Sequence, residues 1–390
     1  MVAPNAARLT ARLARLVAFR TENPPGDERE AAHWLGAELS GHGFAVEYLE
    51  VAPGRLDVVA TLENGPGRSL AFNSHLDVVP AGSGWSGDPF MLRAEAGRLI
   101  GRGACDAKGS IAAMVEAAIL LAAERQHWQG RLMVLFVCDE EVGSTGAKAF
   151  AASRPPIERV VVGEPTDLVT VSAHKGCLRP RLRVQGRSAH SGRPELGDNA
   201  IVKAARLIAR LADEDTRLRT VVHPLVGPAS LSVTRIAGGL ADNMIPAICE
   251  LTIDRRMLPG ESAYRVELEV RALLQRAFAE DGVASDILGF SSTAGPSETP
   301  AEDPIVQAGL AACRANGVDP PGPAGFLGGC DLVHFQRVGI SGIVLGPGSL
   351  AQAHQPDEWL PAAELARAVL IYRDLARTFY ADHERIPSGT

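Results

Sequence analysis

The chain has 390 residues, 46% hydrophobic and 22% charged, with a net charge of -7. That length and balance fit an ordinary globular protein of about two domains, and exclude both a single small module and a disordered chain. The scattered Lys and Arg make no basic stripe for nucleic acid, and no run approaches the roughly 18 apolar residues that span a membrane.

In chain order, Met1 to Arg20 places Leu9, Leu13, Leu16 and Val17 at helical spacing. This predicts an amphipathic helix with Arg8, Arg12 and Arg15 toward water; it lacks the continuous apolar core and cleavage site of a signal peptide. After the turn Asn23-Pro24-Pro25-Gly26, Asp27 can cap a helix running to about Gly41, with Ala31, Trp34, Leu35 and Leu39 on its apolar side. Phe44 to Tyr48, Leu56 to Leu62 and Ser69 to Asn73 read as strands and lead to His75-Leu76-Asp77. Gly97 to Gly103 is a short strand punctuated by glycine, and Asp106-Ala107-Lys108-Gly109 opens a helix from Ile111 to Glu124.

Leu132 to Val137 is wholly apolar, as expected of a buried parallel strand, and runs into Cys138-Asp139-Glu140-Glu141. A helix near Thr145 to Ala152 and the strand Val160 to Val162, ending at Gly163-Glu164, complete an α/β alternation. The expected first domain has a central, mostly parallel sheet flanked by helices.

From Cys177 the pattern changes. Strands at Leu178 to Val184, Ser230 to Ile236, Ala247 to Ile253 and Ala284 to Phe290, with helices at Asn199 to Leu211 and Glu261 to Phe278, give the order β-α-β-β-α-β. That is the split βαβ pattern of a ferredoxin-like α+β domain. It is read as an insertion over 177–292 that divides the α/β domain into 1–176 and 293–390. The α/β pattern resumes with a helix from Asp303 to Asn316, the strand Gly342 to Leu345 and a helix from Pro361 to Phe379.

Three carboxylates at the end of a buried strand repel one another unless they share a cation or a proton, and strand carboxyl ends are where open α/β sheets bind ligands. His75, Asp77, Asp106, Glu164 and His354 also fall at strand or loop ends. Singly, each has a duller explanation: a hydrogen-bonded histidine, a helix cap, a turn. Together they make a nitrogen and oxygen donor set without thiolate, which suits Zn, Co or Mn. Five ligating side chains suffice for two ions if one carboxylate bridges. The six cysteines, with no C-x-x-C pair, read as buried thiols of a cytosolic protein.

The ordered runs His75-Leu76-Asp77, Gly101 to Gly109, Asp139 to Ser144, Gly163 to Thr166 and Ala353 to Glu358 resemble the dinuclear metallohydrolases. That family includes acetylornithine deacetylase, succinyl-diaminopimelate desuccinylase, aminoacylases and glutamate carboxypeptidases. The resemblance implies two divalent ions, zinc foremost, one held by His75, Asp106 and Glu164 and the other by Asp106, Glu141 and His354. It implies Glu140 as general base and Asp77 as orienter of His75. It further implies a homodimer through the inserted domain, with His190 of one chain serving the other's active site, and Asn243, Arg256 and Lys175 gripping a small N-acyl amino acid. Lys175 and the run Gly346 to Glu358 are most similar to the acetylornithine deacetylase branch, which implies N-acetylornithine as lead substrate. The segment Gly328 to His334 departs from both that branch and the desuccinylases. A dipeptidase or carboxypeptidase is the enzymatic alternative. A binding protein without turnover would be signalled by loss of a ligand or base, and every such position is filled.

Overall fold

The computed structural model describes residues 4–153, 155–292 and 294–381. The chain divides into two compact units: Met1–Ala173 with Glu298–Phe326 and Cys330–Thr390, and His174–Ser297 with Leu327–Gly329. Position 293, where the sequence places the return to the first domain, lies outside the described residues, as do the first three residues of the expected N-terminal helix.

The first unit begins with α1 (Ala6–Ala18) and α2 (Arg29–Ser40), then β1 (Ala45–Ala52), β2 (Arg55–Asn64) and β3 (Ser69–His75). After the short strands β4 (Arg93–Glu95) and β5 (Arg98–Ile100) come α3 (Lys108–Ala123), β6 (Gly130–Val137), α4 (Thr145–Ala152) and β7 (Arg159–Val162). The main sheet runs β1-β2-β6-β3-β7 and continues through Ser341–Val344 to Val171–His174. Its centre is parallel: β6 with β3, β3 with β7, and β7 with Ser341–Val344. β1 and β2 add an antiparallel edge.

Both faces of β6 are covered, and this explains its unbroken apolar run. Leu132, Val134 and Phe136 join one core with α1, α2, α3 and the C-terminal helix Ala362–Ala381. Met133, Leu135 and Val137 face a second core, packed by Ala147 and Phe150 of α4 and by Leu332 and Phe335 of the helix Leu332–Gln336. Each fully buried Leu, Val or Phe contributes about 1.5–3 kcal/mol.

Two local expectations change. Arg12 is only 3% exposed, because Glu116 is fully buried in the otherwise apolar α3 and a buried carboxylate needs a cation. Arg12 reaches it at 2.8 Å and Glu38 at 2.6 Å, while Arg8, one turn away, reaches Glu116 at 2.5 Å. Helix α2 starts one residue later than expected. Glu28 occupies the cap position without a side-chain cap bond, since its carboxylate takes both Arg55 Nε and Nη2 at 2.8 Å.

In the second unit the strands Gly176–Gln185, Ser230–Gly238, Ile248–Met257 and Ser285–Ser291 pair antiparallel, with spatial order second, third, first, fourth. Burial alternates residue by residue along Ile248–Met257, as a sheet with one packed face requires. Asn199 caps the helix Ala200–Leu218 by accepting from Ile201 and Val202, and Ser262 caps Ala263–Asp281.

Candidate active site

Parallel pairing fixes where the first donors lie. His75, the last residue of β3, is in register with Val137, the last of β6, so the acidic turn after β6 begins beside it. Glu164 follows β7 by two residues on the other side of β3. Asp106 precedes α3, and His354 projects from a loop in which its own backbone is left-handed (φ 63°).

These residues converge. The two oxygens of Asp106 diverge, with Oδ1 3.1 Å from His75 Nε2 and Oδ2 3.2 Å from His354 Nε2. Glu141 lies 3.1 Å from His354 Nε2, and Glu164 lies 3.8 Å from His75 Nε2. One donor atom each from His75, Asp106 and Glu141 falls within 4.8 Å of the others. His75 Nδ1 donates to the Asp77 carbonyl at 2.9 Å, which turns Nε2 toward Asp106; burial opposes a charge on this ring, but Glu164 and Asp106 hold its pKa well above the usual histidine range.

The expected role of Asp77 is therefore modified. Its carboxylate stands 3.7 Å from His75 Nδ1, so the orienting bond comes from its main chain. The carboxylate instead accepts the N–H groups of Glu140 at 3.0 Å and Glu141 at 3.2 Å, and Asn23 Nδ2 at 2.8 Å. Asp77 thus pins the acidic turn. The three acids of that turn separate: Asp139, with φ 69°, points to Asn23 Nδ2 at 3.0 Å, to Arg55 at 3.3 Å and to Thr145. Burial opposes its ionisation, but the bonds from Thr145 and Asn23 hold its carboxyl below the usual range.

Electrostatics set Glu140, Glu141 and Glu164 apart from Asp139. Burial pushes the Glu140 carboxyl well up, reinforced by Glu164, Asp331 and Glu141 and opposed by His75. Glu164 is pushed up to about 8 by burial, and Glu141 is raised by burial and by Asp106. Asp106 is held low against its burial by the bonds from His354 and His75. Bonds from Asp106 and Glu141 raise His354 to about 10. More acids than bases are crowded here, all with nitrogen or oxygen donors, and divalent cations fit that charge and that donor set.

Four further expected residues lie in the second unit. His190 is exposed and pairs with Met244 in a short ladder, and the N–H of Ser191 donates to the carbonyl of Asn243 at 2.9 Å, so His190 and Asn243 are neighbours. Arg256 is half-buried and bonds Asp254 at 2.7 Å, whereas Arg255 is buried on the opposite face against Glu261. Lys175 Nζ donates to the Pro228 carbonyl at 2.6 Å, and burial, with Arg256 and Arg219 nearby, lowers its pKa.

The sequence reading overlooked Asn23, Arg55 and Glu28, whose pairing with one another and with Asp77 and Asp139 carries no local pattern. It also gave no role to Asp331, 1% exposed, whose carboxyl is pushed up to about 7 by burial. A cavity of about 910 Å³ is lined by Asn64, Arg125, Trp128 and Tyr380. It opens where β3 and β6 begin, away from the donor cluster at their ends.

A model of Peptidase family M20/M25/M40 matches residues 71–378. The chain belongs to that family. Among M20 relatives, acetylornithine deacetylase of Vibrio vulnificus (strain CMCP6) is 34% identical over 326 residues, 82% of this chain and 83% of that protein. The acetylornithine deacetylase of Myxococcus xanthus is 33% identical over 341 residues, covering 85% and 87%. In fold, the M20 metallo-carboxypeptidase Sso-CP2 from Sulfolobus solfataricus matches with a TM-score of 0.81 at 18% identity, over 96% of this chain and 99% of that one. This M20 chain is accordingly a metal-dependent hydrolase acting on amide bonds. Among the described residues no helix is long and apolar enough to cross a membrane.

Proposed function

We propose that the protein removes the acyl group from an N-acyl amino acid, with N2-acetyl-L-ornithine as lead substrate, yielding ornithine and acetate for arginine biosynthesis. The observation that carries this reading is the divergence of the Asp106 carboxylate between His75 and His354, with Glu140 on the adjacent turn. The identity to acetylornithine deacetylases supports the substrate. The departure at Gly328 to His334 is the feature that would move it to another acyl amino acid or a dipeptide.

His75, Asp106 and Glu164 would hold one divalent ion and Asp106, Glu141 and His354 the other, zinc foremost, with cobalt or manganese as alternatives. Such ions supply charge that polarises the amide carbonyl and acidifies a water molecule. Glu140 takes a proton from the attacking water and hands it to the leaving nitrogen. Asp77 keeps Glu140 aimed by binding its main-chain N–H. Arg256, Lys175 and Asn243 would bind the substrate's carboxylate end, and His190 would stabilise the oxyanion from a partner chain.

A homodimer through the second unit is supported by the exposed Ile236, Leu240 and Ile248 on and beside the edge strand Ser230–Gly238. A cytosolic setting is supported by the burial of Cys105, Cys138, Cys249, Cys313 and Cys330 as free thiols.

The deciding experiment loads the purified protein with zinc or cobalt and assays N-acetylornithine, N-succinyl-diaminopimelate, several N-acetyl amino acids and dipeptides, each with a chelator control. Chelator-sensitive release of ornithine above the rest is expected. Turnover confined to other compounds would move the substrate, and metal binding without any turnover would refute the enzymatic reading of these residues.

A further inference from the structure

Glu358 is 1% exposed and is not among the clustered donors His75, Asp106 and Glu141, yet two of the three bonds of its carboxylate run to the main chain at Asp106. Oε1 accepts the main-chain N–H groups of Cys105 and Asp106, each at 2.9 Å. Oε2 accepts Arg102 Nη1 at 2.5 Å. Arg102 is itself 1% exposed, donates to the Ala81 carbonyl at 3.3 Å, and lies 5.1 Å from the centre of the Trp85 ring.

The main chain around Glu358 is tied to the same segment. Its carbonyl accepts Gly101 N–H at 2.9 Å, and Trp359–Pro361 pairs antiparallel with β5. On the near side of His354, Cys105 Sγ donates to the Ser349 carbonyl at 3.3 Å. The stretch from 349 to 361 bears His354 and the stretch from 98 to 106 bears Asp106, so these bonds lock two donor-bearing segments together.

Asp106 has the strictest geometric task in the cluster, because its two oxygens must serve opposite sides within about 0.5 Å of a productive arrangement. A bond to its own N–H sets the direction from which its side chain departs. We propose that Glu358 is a positioning residue: its Oε1 clamps the Asp106 main chain to the His354 loop and thereby sets the Asp106–His354 geometry. This rests on the proposed ligand roles of Asp106 and His354.

A charge left unpaired here would unfold the protein for trivial reasons, so the test uses two charge-neutral double variants. Arg102→Met with Glu358→Gln removes both charges and keeps an oxygen for the two N–H groups. Arg102→Met with Glu358→Leu removes both charges and the acceptor. Each is purified metal-free, checked for native circular dichroism, and titrated with Co(II) against a chromophoric chelator, following stoichiometry, both affinities and the cobalt absorption spectrum.

The expected result is two ions in the Gln variant with affinities within about threefold of the parent and a parental cobalt spectrum. The Leu variant should bind its weaker ion at least tenfold less tightly, with an altered spectrum and, at saturating metal, a lower kcat at little-changed KM. Equal affinities and spectra in the two variants would overturn the clamp. His354→Ala is the control on the underlying assignment. If it loses an ion while the Leu variant does not, the clamp alone fails; if it keeps both ions, the ligand assignment fails.

Discussion

Charged residues behave oppositely in the two units. In the first, buried charges pair with partners far along the chain: Arg12 with Glu116, Arg102 with Glu358, Arg55 with Glu28, and Asp106 with buried His75 and with the exposed His354. In the second, pairs lie mostly toward solvent, some between elements, such as Arg183 with Glu250 and Arg210 with Asp281, and others local, such as Arg217 with Glu214, Arg219 with Asp215 and Arg271 with Glu267 along helices. The difference teaches that the first unit uses charge to hold atoms in place, whereas the second largely uses it to stay wet.

The largest effect that could break this comparison concerns the acidic turn. Glu140→Gln should lower kcat by about 10²- to 10⁴-fold while leaving the bound metal unchanged, the usual worth of a positioned proton carrier. Glu141→Ala should instead lose an ion on dialysis. Equal metal loss in both variants would exchange or merge their duties.

Next in size is the buried pair under α1. Arg12→Met leaves Glu116 without its buried partner and should cost about 3–5 kcal/mol in urea unfolding. A cost near zero would mean that Arg8 alone neutralises Glu116.

A smaller, graded effect is expected from pH in the metal-free protein. Glu164 has its folded pKa raised to about 8, so the native state keeps a proton that the unfolded chain releases near 4.5, and stability from this group declines between those values. His354, raised to about 10, is stabilising below 6.5 and loses that contribution as pH rises toward 10. The melting temperature of the chelated protein should therefore fall from pH 5 to 9 through these two groups. Glu164→Gln should flatten the lower part of that decline, and a rise in melting temperature over this range would contradict both assignments. With Glu164 and His354 as the proposed ligands, zinc would have to displace these protons, so its apparent affinity should increase with pH.

The smallest effect sharpens the other side of the comparison. Arg271→Ala removes an exposed pair on the second unit and should change stability by no more than about 0.5 kcal/mol. A loss above 1 kcal/mol would show that this surface too is organised by its charges.

Much of the site was legible because its chemistry is carried by residue type at strand ends. His75 closes β3 and Glu164 follows β7, and both ends are marked in sequence by apolar runs giving way to polar residues. The split among Asp139, Glu140 and Glu141 was not legible from spacing. It depends on Asn23, 116 residues from Asp139, and on Asp77, 63 residues from Glu140. The inward turn of Arg12 was hidden for the same reason, since helical periodicity marks the apolar stripe but not the acid waiting on a neighbouring helix.

By itself the sequence determined the order of the long helices and strands, the split βαβ pattern of the second unit and the kinds of residue gathered at strand ends, though it left out the strand Val171–His174 and the helix Leu332–Gln336. Periodicity and side-chain identity are local properties, readable one segment at a time. Only the tertiary structure decided which acid faces the donor cluster, that Asp77 acts on the turn through its carboxylate and on His75 through its carbonyl, and that Glu358 grips Asp106. Those outcomes belong to buried polar groups. Such groups must find a partner once water is gone, and that partner is whatever residue the fold brings within 3 Å, however far away it lies in the chain.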